Sequence, residues 1–217
     1  PRCSEVFFLN PNLETGWRLT RVCYMLSVTA AGQHELNYLN DGWGAAQKYL
    51  KMEGGQEHPL GRKWAGIILG SVAENYKPKE KVAASEQIRQ HLEACLKQLP
   101  KDSAAQHAMG MYCFQVAGIG WVQRTAAKVM FGKDLKSSYE EALIHFVKAK
   151  EVSGGKNPMG EPWFKNDFMI AQCLAKQKKK DIAGATELFQ AILSDERGAA
   201  GFEDDIRAFC KKKKITL

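Results

Sequence analysis

The stretch IRQHLEACLKQLP, residues 88–100, places apolar side chains at offsets of 0, 4 and 7, namely Ile88, Leu92 and Cys95. Because an α-helix makes one turn every 3.6 residues, these three side chains lie on one stripe of a helix. Pro100 follows five residues after Cys95 and predicts that the helix ends before it. The stretch therefore predicts a helix with one buried face and a sharp end.

The same spacing recurs along the chain, in triplets at Ala45, Tyr49 and Met52, at Ala142, Phe146 and Ala149, and at Ala185, Phe189 and Ile192. Gly154 follows the triplet at 142–149 where Pro100 follows the first one. Upstream of that triplet, Met109-Gly110 and Cys113 predict a partner helix on which a small residue allows close packing. Repetition of such helix pairs is typical of tetratricopeptide repeats, whose period is roughly 34 residues. Stacked pairs form a superhelix with a groove that binds partners.

We predict an all-α, tetratricopeptide-like helical-repeat superhelix (an α-solenoid) of about four helix pairs, since no period-two strand pattern is present. One domain covers residues 13–214, after an extended lead-in at 1–12. The predicted pairs are 13–52, 60–99, 104–151 and 163–194, with an extra helix inserted in 118–136 and a capping helix at 202–213. The register of the second pair stays open, because Leu69-Gly70 also fits the small-residue position.

Composition limits the class of protein. The net charge is +7, from 31 basic and 24 acidic residues, which favours an acidic partner such as nucleic acid, an anionic membrane or an acidic protein surface. Six cysteines occur without a Cys-x-x-Cys pair, which favours a reducing compartment. The sequence has no run of 18 apolar residues, so we expect no membrane-spanning segment.

Motifs for catalysis are missing from the sequence. It contains no Gly-x-Ser-x-Gly, no His-Glu-x-x-His and no pair of histidines four residues apart. We also expect no acid–histidine pair at a useful spacing. We therefore expect no catalytic residue, no metal site and no cofactor, and we interpret the chain as a binding protein rather than an enzyme.

Lysine clusters are the first candidate for a binding site. They comprise Lys178, Lys179 and Lys180 in a predicted turn, and Lys211, Lys212, Lys213 and Lys214 near the C-terminus. A looser group, Lys77, Lys79 and Lys81, lies at another turn. Lysine is a point charge without the bidentate geometry of arginine, so these clusters favour diffuse, salt-sensitive attraction over base readout, and we expect no nucleic-acid partner. A merely solubilising surface is the alternative.

A groove is the second candidate. In helical repeats the first helix of each pair lines the concave face, which points to His107, Met111 and Phe114 on the predicted helix 104–117, with Trp121 and Arg124 on the inserted helix. Such a groove would hold a lipid or a peptide. The alternative is that Met111 and Phe114 are simply core residues.

Residues 110–151, GMYCFQVAGIGWVQRTAAKVMFGKDLKSSYEEALIHFVKAKE, resemble the regulator of microtubule dynamics family, as do residues 64–100. The insertion with its Trp-x-Gln-Arg and Ser-Ser-Tyr-Glu-Glu-Ala strings carries most of this resemblance, which extends over about residues 17–193. It implies a non-enzymatic helical-repeat protein of microtubules and the mitotic spindle, acting in chromosome segregation. Some family members are instead anchored at mitochondria or the endoplasmic reticulum, and one binds lipid and tethers organelles through its repeat domain.

Two hypotheses follow. In the first, the lysine clusters bind the acidic surface of tubulin, and the partners are microtubules and further spindle proteins. The protein would then be cytoplasmic and cytoskeletal, at the spindle and its poles. In the second, the groove binds a lipid or a peptide, and the protein acts as an adaptor or organelle tether.

Overall fold

The computed structural model describes residues 11–132 and 135–217, and these ranges form α-helices and no β-strand, so the all-α prediction is confirmed. Residues 1–10, most of the predicted lead-in, lie outside the described residues. The helices are α1 Leu13–Thr29, α2 Gln33–Tyr49, α3 Pro59–Ala73, α4 Pro78–Gln98, α5 Ser103–Gly118, α6 Trp121–Phe131, α7 Tyr139–Ser153, α8 Phe164–Lys176, α9 Ile182–Ser194 and α10 Glu196–Lys213. Among the described residues, none of these helices is long and apolar enough to cross a membrane.

Side-chain caps fix where several helices begin. The Asp102 carboxylate accepts the backbone N–H of Ala105 and starts α5, and Ser138 starts α7. The last helix begins at Glu196, well before the predicted 202–213, because the Asp195 side chain accepts the backbone N–H of Arg197. A polar cap satisfies backbone donors that the first turn leaves unpaired, so it sets the helix start independently of the apolar pattern.

The chain divides into two compact units, each built from packed neighbouring helices. The first unit contains α1 to α4 and α6; α1 packs on α2, α3 on α4, and α6 contacts α4. The second unit contains α5 and α7 to α10; α5 packs on α7, α7 on α8, α8 on α9, and α10 on both α8 and α9. The inserted helix α6 therefore belongs to a different unit from α5 and α7, the pair that it separates in sequence.

In the first unit, the predicted stripe at Ile88, Leu92 and Cys95 is buried on α4. A Cβ placed on Gly66 of α3 would lie 3.0 Å from Leu92, whereas one on Gly70 would meet nothing within 4 Å. Gly66, not Gly70, is therefore the small residue at which α3 approaches α4. On α2, Tyr49 is buried, but Met52 lies beyond the helix end and is only partly buried.

In the second unit, Ala142, Phe146 and Ala149 are completely buried on α7, and Ala185, Phe189 and Ile192 are buried on α9. The close approach predicted for Gly110 is present: a Cβ at this position would lie 2.7 Å from Cε1 of the Phe146 ring. Carbon atoms in ordinary contact lie about 3.5–4.0 Å apart, so only glycine fits between α5 and this ring.

We expect Gly110→Ala to lower the free energy of unfolding of the second unit by about 1–3 kcal/mol, because the buried Phe146 ring cannot move aside without disturbing its neighbours. Urea unfolding followed by circular dichroism measures the change. Gly201→Ala is the matched control, since Gly201 is exposed on α10 of the same unit and its Cβ would meet nothing within 4 Å. The control should be neutral or stabilising by up to about 1 kcal/mol; equal stability of the two variants would contradict the tight contact.

Candidate functional site

His107, the first groove candidate, takes part in a polar network inside the second unit. Its Nδ1 atom lies 2.8 Å from Oδ1 of Asn166 on α8, and Asn166 Nδ2 donates to the backbone oxygen of Phe146 on α7 at 3.0 Å. Because a backbone carbonyl only accepts, this second bond fixes the orientation of the Asn166 amide and assigns the proton to His107 Nδ1. Asn166 is completely buried. The network therefore ties α5 to α7 and α8.

The imidazole of His107 is also enclosed by aromatic rings. Its ring centroid lies 5.3 Å from that of Phe146 and 4.8 Å from that of Trp163. Burial, first of all, lowers the pKa of His107 to about 4; the hydrogen bond to Asn166 opposes this shift, and the charge of Lys165 adds to it. His107 is therefore neutral at physiological pH and serves the packing of the second unit.

This pKa predicts an acid-sensitive fold. Between pH 6.5 and about pH 4 the histidine binds a proton in the unfolded chain but not in the folded one, so acid favours unfolding. We expect the free energy of unfolding to rise with pH across this window, and His107→Asn, which keeps a donor near Nδ1, to reduce the slope by up to about 1.4 kcal/mol per pH unit. Urea unfolding at a series of pH values measures the slope. His34→Asn, at an exposed position, is the control; an unchanged slope in His107→Asn would contradict a neutral histidine in the folded state.

Phe114, another groove candidate, contacts a partly buried cation. The Nζ atom of Lys176, at the end of α8, lies 4.2 Å from the centroid of the Phe114 ring, 5.3 Å from that of Tyr139 and 5.5 Å from that of Phe209. Ring faces carry partial negative charge and attract a cation at these distances. Lys176 therefore connects α5, α7, α8 and α10 through one ammonium group.

The two lysine clusters lie at the ends of α8 and α10, and Lys176 of α8 contacts the Phe209 ring of α10. Burial chiefly lowers the pKa of Lys176, and the positive charges of Lys213 and Lys212 lower it further. Lys176 lies two residues before Lys178–Lys180, while Lys212 and Lys213 belong to the second cluster. All seven lysines of the two clusters are exposed. We call them, together with Lys176, the basic patch.

An acidic side chain fixes the backbone of the basic patch. The Glu140 carboxylate, in the first turn of α7, accepts the backbone N–H of Lys178 at 2.8 Å. This hydrogen bond is the main cause of the lowered pKa of Glu140. The turn that follows α8 is thereby held against α7, and its lysine side chains remain at the surface.

The other groove candidates divide between the units. Met111 is partly buried on α5 of the second unit, and Arg124 is partly buried on α6 of the first. The side chain of Trp121 lies outside the described residues. In the second unit, the rings of His107 and Phe114 are engaged by Asn166, Trp163 and Lys176.

A further cluster was missed by the sequence analysis. Ligand-type atoms of Cys113 on α5 and of Glu141 and His145 on α7 all lie within 4.8 Å of one another, in the part of the chain that the structure describes. Glu141 and His145 are four residues apart, a spacing that places both on one face of a helix. The expectation of no acid–histidine pair at a useful spacing was therefore wrong for Glu141 and His145, and Cys113 joins them only through tertiary packing.

These features define an all-α protein of packed helix pairs with a basic patch on its second unit. A family model described as "Regulator of microtubule dynamics protein 1-3" matches residues 7–196, and the chain belongs to this family. The resemblance noted in the sequence is thereby confirmed. The chain is 33% identical over 172 residues to regulator of microtubule dynamics protein 1 of Bos taurus, 26% over 165 residues to that of Caenorhabditis elegans, and 28% over 177 residues to protein 2 of Macaca fascicularis.

These alignments cover 77%, 76% and 80% of the present chain. They cover 51%, 69% and 40% of the three relatives, so the chain spans about half the length of the bovine relative. The family name associates these relatives with the regulation of microtubule dynamics.

Proposed function

We propose that this protein regulates microtubules without catalysing a reaction, by binding the acidic surface of tubulin through the basic patch. The observation that carries the proposal is that Lys176, two residues before Lys178–Lys180, contacts the Phe209 ring on α10, the helix that ends in the second lysine cluster. Family membership supplies the partner class, since the relatives are named as regulators of microtubule dynamics. Within this proposal the protein is cytoplasmic and cytoskeletal, and it acts in spindle organisation and chromosome segregation, together with further spindle proteins.

Electrostatics supports this partner. Seven exposed lysines on one unit of a chain with net charge +7 form a concentrated positive field. Such a field accelerates encounter with a negatively charged partner over about one Debye length, which is about 10 Å at 0.1 M salt. The ammonium group of a lysine sits on a flexible side chain, so it can pair with carboxylates whose positions are not fixed, such as those of an acidic peptide tail.

The groove function is the weaker proposal. It assigns a lipid or peptide to the groove predicted from the sequence, but among the described side chains His107, Met111 and Phe114 belong to the second unit and Arg124 to the first. The ring contacts of His107 and Phe114 within the second unit reduce the apolar area that these two side chains offer to a ligand.

Co-sedimentation with taxol-stabilised microtubules tests the proposal, with the fraction pelleted measured at increasing salt. We expect the triple variant Lys178→Glu, Lys179→Glu, Lys180→Glu to lose at least about tenfold in apparent affinity, because it reverses charge within the basic patch. Neutralising Lys211, Lys212 and Lys213 with glutamine should weaken binding in the same direction. Removal of the acidic tubulin tails with subtilisin should have an effect comparable to the charge reversal.

The matched control reverses Lys77, Lys79 and Lys81, which are exposed lysines of the first unit. This control changes the net charge by the same amount at a different place, and it should retain most of the binding. Equal loss in both triple variants would show that binding follows net charge alone and would contradict the assigned patch. Pelleting that is insensitive to salt would contradict the electrostatic mechanism.

A further inference from the structure

The cluster of Cys113, Glu141 and His145 combines the three side-chain types that bind zinc most often: a thiol, a carboxylate and an imidazole. It joins α5 to α7, and its three ligand-type atoms lie within 4.8 Å of one another. Cys113 is 1% exposed, whereas Glu141 and His145 are partly buried, so the cluster is open on the side of α7. A thiol this deeply buried is badly placed to attack a substrate, which argues against a nucleophile.

Second-layer hydrogen bonds orient two of the three side chains. His145 Nδ1 lies 2.7 Å from Oε1 of Gln106. With the amide in this orientation Nδ1 donates, and the lone pair of Nε2 is the one that would bind a metal. The Ser137 hydroxyl donates to Oε2 of Glu141 at 2.7 Å. In metal sites, ligating histidines and carboxylates characteristically make such bonds, which fix tautomer and orientation. Gln106 is itself buried, one helix turn from Met109-Gly110.

We propose that the second unit binds a zinc ion between α5 and α7 through Cys113 Sγ, a Glu141 carboxylate oxygen and His145 Nε2. Ligand atoms around tetrahedral zinc lie about 3.3–3.7 Å apart, given zinc–ligand bonds of about 2.0–2.3 Å. The observed separations of at most 4.8 Å therefore require side-chain shifts of about one ångström, which rotation about side-chain bonds supplies.

Charge balance favours a divalent ion. On binding, Cys113 releases its thiol proton to solvent, and the thiolate and the Glu141 carboxylate together neutralise the charge of the zinc ion. A neutral assembly lowers the cost of placing the metal at a partly buried site. Three protein ligands leave a fourth tetrahedral position for water. The soft thiolate selects zinc over magnesium and calcium, which prefer oxygen ligands.

Binding has a structural consequence. In the sequence, Cys113 precedes and Glu141 follows the inserted segment that contains α6. The metal would therefore link α5 to α7, the two helices that this insertion separates along the chain. A ligand that binds only the folded state raises stability by mass action. Zinc is thus expected to protect the helix pair whose contact depends on Gly110 and Phe146.

The test uses the full chain, purified under reducing conditions and stripped with a chelator. We expect about one zinc ion per chain after addition of zinc chloride and gel filtration, and a higher melting temperature than in the stripped protein. Cobalt chloride, as a spectroscopic substitute, should give a thiolate-to-cobalt charge-transfer band in the near ultraviolet together with the visible bands of tetrahedral cobalt.

Variants assign the ligands. Cys113→Ser should remove the charge-transfer band and weaken zinc binding by more than about 100-fold, and His145→Gln and Glu141→Gln should each weaken it strongly. Gln106→Ala should weaken it by about 10–100-fold, as an outer-layer change does. Cys210→Ser is the matched control, because Cys210 is a buried cysteine of the same unit on α10. His34→Gln, at an exposed position, is the histidine control.

Circular dichroism of each stripped variant separates loss of the metal from loss of the fold, and His145→Gln keeps the test valid if Cys113→Ser fails to fold. Zinc uptake and a charge-transfer band that are lost in the site variants but kept in Cys210→Ser support the proposal. Absence of zinc binding by the unmodified chain would overturn it. Unchanged affinity in Cys113→Ser or in His145→Gln would overturn it as well, since the ion would then be bound elsewhere.

Discussion

The contact between Gly110 and the ring of Phe146 is the constraint on which the second unit depends. It lets α5 approach α7 closely enough for the Phe146 ring to be completely buried. The same approach brings His107 next to Phe146 and within reach of Asn166, which donates to the Phe146 backbone. A larger residue at position 110 would separate the helices, and the aromatic and polar contacts would be lost together because dense packing transmits such displacements.

The same helix pair supports both surfaces of functional interest. One helix turn beyond Gly110, α5 contributes Phe114 to the ring cluster around Lys176, and it contributes Cys113 to the cluster with Glu141 and His145. The first arrangement partly desolvates one lysine while its neighbours remain in water. The ring contacts of Lys176 thus anchor the base of this positive surface by packing, while its outer lysines remain exposed.

The sequence predicted more of the basic patch than of the cluster formed by Cys113, Glu141 and His145. It proposed Lys178–Lys180 and Lys211–Lys214 as a binding surface, because runs of like charge are visible without a fold. It interpreted Phe114 as a groove or core residue, and it had no means of assigning Lys176 as its partner, since the two lie far apart in the chain. Glu141 and His145 show helical spacing in the sequence, but acid–histidine pairs four residues apart are common on exposed helix faces. The nearby thiol of Cys113 distinguishes Glu141 and His145 from other such pairs, and only the packing of α5 on α7 brings Cys113 next to them.

The sequence by itself determined the all-α class, most helix bounds and the buried stripes. These follow from the 3.6-residue periodicity of apolar side chains and from residues that cap or end helices, and each of these signals acts over only a few residues. The start of α10 at Glu196 was missed because a single aspartate cap outweighed a weak apolar pattern. Tertiary structure alone decided that Gly66 rather than Gly70 meets Leu92, that His107 pairs with Asn166, and that Lys176 contacts the rings of Phe114 and Phe209. Each of these depends on which helix faces pack together, and that choice is made by shape and volume across distant segments.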